Sequence, residues 1–340
     1  MSINAHTIPL GLLGWPVSHS LSPAMHNAAL QALNLNYVYL PLPTPPQQLA
    51  AALAGLPALG FRGVNVTIPH KQTVIPHLDT LTPGAQALGA VNSIIIDENG
   101  RLHGDNTDWQ GFLRSLPASY HTSTNTKQPA IVLGAGGSAR AIVYALAQQN
   151  HPIHILARRP EQAQQLITHL RPHLPHATLH AYHLKQLPDL VTPPPPLTSP
   201  KSASHPNQAP HPHIKTALHP HPPQPTTSPP QQSPTTPRPT SSPPPSSSPL
   251  GPLIINTTPL GMTPHTTTSI WPADLPWPPH ALAIDLVYNP ATTQFMRQAQ
   301  AANCTTINGL PMLLHQGAIS FEQWTGHSPP LHVMSAALNA

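Results

Sequence analysis

The sequence predicts an α/β fold in two domains, and three observations carry that prediction. Strand-like and helix-like segments alternate through residues 1–110. A second series begins near residue 128 with a strand, a glycine-rich turn, a helix and another strand. That βαβ order requires a parallel sheet with right-handed crossovers. Between residues 192 and 250 both periodicities vanish and 21 residues are proline. Proline fixes φ and removes a donor, and too little apolar surface remains there to offset chain ordering. The segment 192–250 therefore reads as a Pro/Ser/His-rich disordered or polyproline insertion in the second domain.

In chain order, TIPLGLLG (7–14) reads as a strand, and SPAMHNAALQALN (22–34) as a helix opened by Ser-Pro. NYVYLPL (36–42) is the next strand and PPQQLAAALAGLPALG (45–60) the next helix. In GVNVTIPHK (63–71), Val64, Val66 and Ile68 alternate with Asn65 and Thr67, the pattern of a half-buried strand. ALGAVNSIIIDENGRLHGDNTD (87–108) reads as a hairpin turning at Glu98-Asn99-Gly100. From 128 come PAIVLGAGGSARAIVYALAQQN, the strand HPIHILARR (151–159) and the helix PEQAQQLITHLRPHL. After the insertion the pattern resumes with LIINTTPLGM (253–262), ALAIDLVYNP (281–290) and a C-terminal helix over 310–326.

Composition excludes several classes. Charged residues are 7% of the 340, against about 25% in ordinary soluble domains. The net charge of +4 comes from scarce acids, with no run of Lys or Arg, so the clustered cations that nucleic-acid binding needs are missing. One cysteine, Cys304, allows no internal disulfide and reads as a packing residue, as do Trp109 and Trp324. The first residues lack a charged leader region, and no apolar run approaches a membrane span. A cytoplasmic protein is expected.

LGAGGSARA sets Gly134, Ala135, Gly136, Gly137 and Ser138 between a strand and a helix. Small residues there let the backbone approach a pyrophosphate, which the helix N-terminus stabilises. This is the pattern of a Rossmann-like dinucleotide site, with Ala139 in place of the third glycine. A tight βα turn in another α/β fold is the alternative. The next strand ends in Ala157-Arg158-Arg159 rather than in the acid that would hold a ribose 2′-hydroxyl. Two guanidiniums suit a 2′-phosphate and hence NADP; an exposed basic helix start is the other reading, disfavoured by the helix dipole.

Three further stretches are over-polar for their surroundings: HSLSPAMHN with Ser20 and Ser22, GAVNSI with Asn92, and GDNTDWQGF with Asp105, Asn106, Thr107 and Asp108. A polyhydroxylated ring needs such hydroxyl and amide partners. A carbonyl reduction also needs a proton donor, and Lys71 is the sole lysine of residues 1–126. Lys71 and Asp108 are either a catalytic pair or two surface charges that contribute about 0–1 kcal/mol if they meet.

GWPVSHSLSPAMHN, GVNVTIPHK, GAVNS, GDNTDWQGF, VLGAGGSARAI, INTTPLGM, DLVYNP and GLPMLLHQGAISFEQWTG occur in this order. Together they closely resemble the shikimate dehydrogenase family, over nearly the whole chain except 192–250. The resemblance implies a substrate domain over 1–110, completed by the C-terminal residues 310–340, and an NADP-binding Rossmann-like domain over 111–309. It implies reversible reduction of 3-dehydroshikimate to shikimate by NADPH, in aromatic amino-acid biosynthesis, by a monomer or homodimer. By the same resemblance Ser20 and Ser22 bind the substrate carboxylate. Thr67, Asn92, Asp108, Tyr288 and Gln316 contact the ring hydroxyls. Lys71 is the general acid/base, with Asp108 beside it. Gly134 to Ser138, Arg158 and Arg159 hold NADP, and Leu286 and Gly309 line the nicotinamide. No metal is implied.

The chain departs from the family pattern in places. Ala157-Arg158-Arg159 stands where the family often has Asn-Arg-Thr, Gln162 replaces a further arginine, and Pro83 replaces an acid some relatives carry. The insertion has no family counterpart and reads as a solvated linker with no task of its own; the alternative is that its His211, His213, His219 and His221 bind a metal or its PxxP content attracts a proline-binding partner. The nearest rival is a quinate/shikimate dehydrogenase, against which Ser20, Ser22 and Arg158 argue. A non-catalytic metabolite sensor need not keep Lys71 and Asp108.

Overall fold

The structure is a computed structural model, described over residues 3–122, 127–191 and 250–340. The insertion and its histidines lie almost wholly outside the described residues. Strands β1 (Ile8–Gly14), β2 (Tyr37–Pro43), β3 (Gly63–Val66), β4 (Thr80–Leu81), β5 (Ser93–Ile96) and β6 (Leu102–Asp105) form the first sheet, in the order β2-β1-β3-β5-β6-β4. Strands β7 (Ala130–Leu133), β8 (Ile153–Ala157), β9 (Leu179–His183), β10 (Leu253–Asn256), β11 (Leu282–Asp285) and β12 (Thr305–Ile307) form the second, in the order β12-β11-β10-β7-β8-β9. The helices are α1 (Ser22–Ala32), α2 (Leu49–Ala58), α3 (Pro83–Leu88), α4 (Asp108–Ser115), α5 (Ala118–Thr122), α6 (Gly137–Gln148), α7 (Pro160–Leu170), α8 (Leu187–Val191), α9 (Gln294–Ala301), α10 (Leu310–Thr325) and α11 (Leu331–Leu338).

Every pairing in the second sheet is parallel. Its central strands are apolar on both faces because both are covered. Ala130, Val132, Leu253 and Ile255 pack with α6 and α7, while Ile131, Leu133 and Ile254 pack with Phe295, Met296 and Ala299 of α9. Strand order reverses between β7 and β10, which opens a crevice at their C-terminal ends.

The first sheet is mixed: β1–β2 and β1–β3 are parallel, and β3–β5 and β5–β6 antiparallel. The hairpin expected around Glu98-Asn99-Gly100 is present, with Gly100 at φ +76°. The C-terminal helices return to this sheet: Phe321, Trp324, Met334 and Leu338 share a core with Leu10, Met25 and Leu30. Helices α3 and α4 meet α6 and α7, sending Ala87, Leu88 and Phe112 into the second sheet's core.

One element departs from the sequence reading. β3 ends at Val66, Asn65 is buried and Ile68 is exposed, the reverse of an alternation that put Ile68 inside. β3 lies between β1 and β5, with Val64 and Val66 packed beside α2 and the opposite face covered by α1 and α10. Asn65 is tolerated there because its side chain is bonded at both ends: Tyr39 Oη donates to Oδ1 (2.8 Å), and Nδ2 donates to Ser320 Oγ and Asn92 O, each at 3.1 Å. Cys304 and Trp324 are buried as expected, Trp324 Nε1 donating to Ile94 O at 3.0 Å, and Trp109 packs edge-on against Tyr144.

Candidate active site

Lys71 lies in the irregular segment after β3, anchored through its carbonyl, which accepts from Val91 N–H at 2.7 Å. Asp108 opens α4, where the helix dipole favours a carboxylate. Folding closes the 37-residue separation: Lys71 Nζ donates to Asp108 Oδ2 at 2.6 Å. The side chains are 23% and 10% exposed, so the ammonium still reaches solvent while the carboxylate is nearly enclosed.

Asn92 orders this pair from below. Its Oδ1 accepts Thr107 N–H at 2.7 Å, and its Nδ2 lies 2.8 Å from Asp108 Oδ1, 3.0 Å from Gln316 Oε1 and 3.0 Å from Thr107 Oγ1. An amide nitrogen has two protons. Assigning them to Asp108 and Gln316 leaves the Thr107 hydroxyl to donate to Gln316 O at 3.1 Å. Each carboxylate oxygen of Asp108 then has one donor, Lys71 or Asn92. Gln316 arrives from α10, so the C-terminal helix completes a cluster begun by Lys71, Asn92 and Asp108. Gly111 on α4 permits that approach, since a Cβ there would lie 2.7 Å from Gln316 N.

Lys71, Asn92, Asp108 and Gln316 are thus brought together by hydrogen bonds. Among the described residues no hydrogen bond joins Ser20, Thr67 or Tyr288 to this cluster. Thr67 follows β3, held by its N–H to Leu13 O at 2.9 Å, and its hydroxyl has no partner among the described residues. Ser22 is buried at the start of α1, and its N–H donates to Ser20 Oγ at 3.2 Å. Burial raises the Tyr39 phenol well above its ordinary range, and the adjacent Ser22 hydroxyl opposes that rise. Tyr39 Oη in turn donates to Asn65 Oδ1, and Asn65 Nδ2 to Asn92 O. Tyr288 is partly buried beyond β11, and its phenol is raised by burial.

The crevice of the second sheet carries the glycine-rich turn. Gly134 sits at φ +117°, and a Cβ there would lie 2.5 Å from Thr257 Oγ1, so only glycine fits. Gly136 and Gly137 instead face open space, where a Cβ would meet nothing within 4 Å. Open glycines at the N-terminus of a twelve-residue helix suit an anion such as a pyrophosphate. Ala139 is fully buried, close packing that the family's third glycine would otherwise provide. Arg158 and Arg159 project exposed from the end of β8, and neither guanidinium is bonded among the described residues. Gly309 abuts Leu286, whose carbonyl a Cβ would strike.

The sequence reading named Thr107 among the over-polar residues without pairing it to Asn92 and Gln316, and it did not single out Ser320 or a buried set at the end of β10, the end of β11 and the start of α9, Asn256, Asp285 and Thr293. An acid at the end of the apolar run ALAID was the available signal.

The family model for the shikimate dehydrogenase substrate-binding domain matches residues 12–94, and that for the shikimate 5′-dehydrogenase C-terminal domain matches residues 309–338. The shikimate dehydrogenase (NADP(+)) of Moorella thermoacetica is 39% identical, over 99% of this chain and 95% of its own. The chain belongs to the shikimate dehydrogenase family. Among family structures, that of Thermus thermophilus in complex with NADP(H) and shikimate has 32% identity and a TM-score of 0.71, covering 98% of each chain. The quinate dehydrogenase of Corynebacterium glutamicum in complex with NAD has 25% identity and a TM-score of 0.73, covering 97% of this chain and 98% of its own. The family assignment, the α/β architecture and the Rossmann-like second sheet all agree with the expectation from sequence. No helix among the described residues is long and apolar enough to cross a membrane.

Proposed function

We propose that this chain catalyses the reversible NADPH-dependent reduction of 3-dehydroshikimate to shikimate, in the cytoplasm, with the first sheet and α10–α11 holding the substrate and the second sheet the cofactor. The observation that carries the reading is the Lys71–Asp108–Asn92–Gln316 cluster, with its 2.6 Å ion pair, in a chain of this family.

The substrate carboxylate docks on the hydroxyls of Ser20 and Ser22. The ring hydroxyls face Thr67, Asn92, Asp108, Tyr288 and Gln316, which supply donors and acceptors of fixed direction. The turn from Gly134 to Ser138 takes the pyrophosphate, Arg158 and Arg159 the 2′-phosphate, and Leu286 and Gly309 border the nicotinamide. When bound, NADPH supplies the hydride. The protein then has one proton to manage: Lys71 donates it to the carbonyl oxygen as charge develops there, and takes it back in the oxidative direction. Asp108 aims the ammonium, and Asn92 holds Asp108 so that the geometry exists before substrate arrives.

Initial rates with shikimate and NADP+, against quinate and NAD+, test the reading. A strong preference for shikimate with NADP+ is expected from Ser20, Ser22 and the two guanidiniums. Comparable turnover of quinate with NAD+ would overturn it.

A further inference from the structure

Asp285 is the last residue of β11 and is fully buried. No cationic side chain among the described residues forms an ion pair with it. Three donors converge on its carboxylate: Thr293 Oγ1 on Oδ2 at 2.5 Å, and Asn256 Nδ2 and Val287 N–H on Oδ1, each at 3.0 Å. Asn256 ends the neighbouring strand in register with Asp285, and its Oδ1 accepts Thr258 N–H at 3.0 Å and Thr258 Oγ1 at 2.7 Å. Thr257 Oγ1 donates to Leu133 O at 2.9 Å, directly before Gly134. Thr293 also caps α9 by accepting Met296 N–H at 3.3 Å. One carboxylate therefore joins the loop after β10, the loop after β11 and the start of α9, all on the rim of the crevice.

A buried carboxylate without a cation is costly to keep. Burial pushes its pKa up to about 6, against the pull of the three donors. The three donors offset part of that cost, and the bonds they form tie the two loops to each other and to the start of α9. The loop it grips through Val287 N–H carries Leu286 and Tyr288. We propose that Asp285 is a positioning residue for the nicotinamide half of the dinucleotide, holding the 286–288 loop against the 256–258 loop so that the nicotinamide subsite is formed before the cofactor binds. The inference rests on the reading of the crevice as the NADP site.

Asp285→Asn removes the charge at constant shape: the amide nitrogen can face Thr293, whose hydroxyl then accepts instead of donating, and the two N–H bonds to Oδ1 become bonds to a neutral oxygen. Bonds to charged groups are the stronger kind, and the expected loss in NADPH affinity is about tenfold to a hundredfold. The probe pair is NADPH and 2′,5′-ADP, titrated by calorimetry. The second lacks the nicotinamide half and would be held by Arg158, Arg159 and the glycine-rich turn. The expected result is weaker NADPH binding with 2′,5′-ADP affinity changed less than about twofold. Thr293→Val should reproduce this split and Thr293→Ser restore wild-type binding, which keeps the test open if Asp285→Asn does not fold. Equal loss for both probes, or no loss for either, would overturn the proposal. Wild-type protein that binds neither probe would overturn the reading of the crevice, and this inference with it.

Discussion

Replacing Lys71 with alanine removes the proposed proton donor while leaving the proposed substrate anchors in place. The site geometry sets the expected size of the effect. Asp108 keeps its bond to Asn92 Nδ2 at 2.8 Å and its place at the start of α4, so the pocket should hold its shape. Loss of a general acid/base costs about 10²–10⁴-fold in rate, or roughly 3–5 kcal/mol of barrier. The pair is neither free on the surface nor fully buried, at 23% and 10% exposure. Breaking it should therefore cost about 1–2 kcal/mol of stability, between the surface and buried limits. Steady-state rates from the reduced nicotinamide absorbance, with urea unfolding alongside, separate the two effects. The expected outcome is a kcat lower by at least about a hundredfold, KM for shikimate within about threefold, and partial recovery of rate with a small primary amine. A folded variant whose kcat stays within about threefold of wild type would refute the assignment of Lys71 as proton carrier.

Three other outcomes are expected. Arg158→Ala with Arg159→Ala should raise KM for NADP+ by about tenfold to a hundredfold with little change for NAD+; an unchanged ratio between the two cofactors would remove the 2′-phosphate role. Gly309→Ala should cost about 1–3 kcal/mol by driving a methyl into the Leu286 carbonyl and forcing β11 and α10 apart, and wild-type thermal stability would contradict it. His26 is stacked on Tyr39 at 4.3 Å, and burial lowers its pKa to about 3. With the unfolded imidazole titrating near 6.5, the unfolded state binds the extra proton first, so stability is lost as pH falls from 6.5 towards 3. Between pH 7 and 4.5 this amounts to about 3 kcal/mol of lost stability, a loss that His26→Phe should not show; equal acid sensitivity in both proteins would show that His26 is not its source.

The physical origin of each success and miss lies in the range of the forces involved. The turn at Glu98-Asn99-Gly100, the Ser-Pro start of α1, the glycine-rich turn and Gly326 ending α10 in the left-handed region are local consequences of backbone sterics, readable within a few residues. Ordered motifs then identified the family and pointed to Lys71, Asp108, Asn92 and Gln316. β3 was misread because alternation reports whether a face is polar, not whether water or another layer covers it. Only the return of α10 and α11 makes both faces of β3 interior and turns Asn65 from a surface residue into a buried partner of Tyr39 and Ser320.

The sequence by itself determined the fold class, the order of the strands and helices along most of the chain, the family, and the residue types available for chemistry. Which groups touch was decided by tertiary structure. Lys71 meets Asp108, Asn92 meets Gln316 across 224 positions, and Asp285 meets Thr293 at the start of α9. Such contacts are set by strand order and by the packing of α4 against α10. Hydrogen bonds act over about 3 Å, and chain distance carries no information about them until the core has closed.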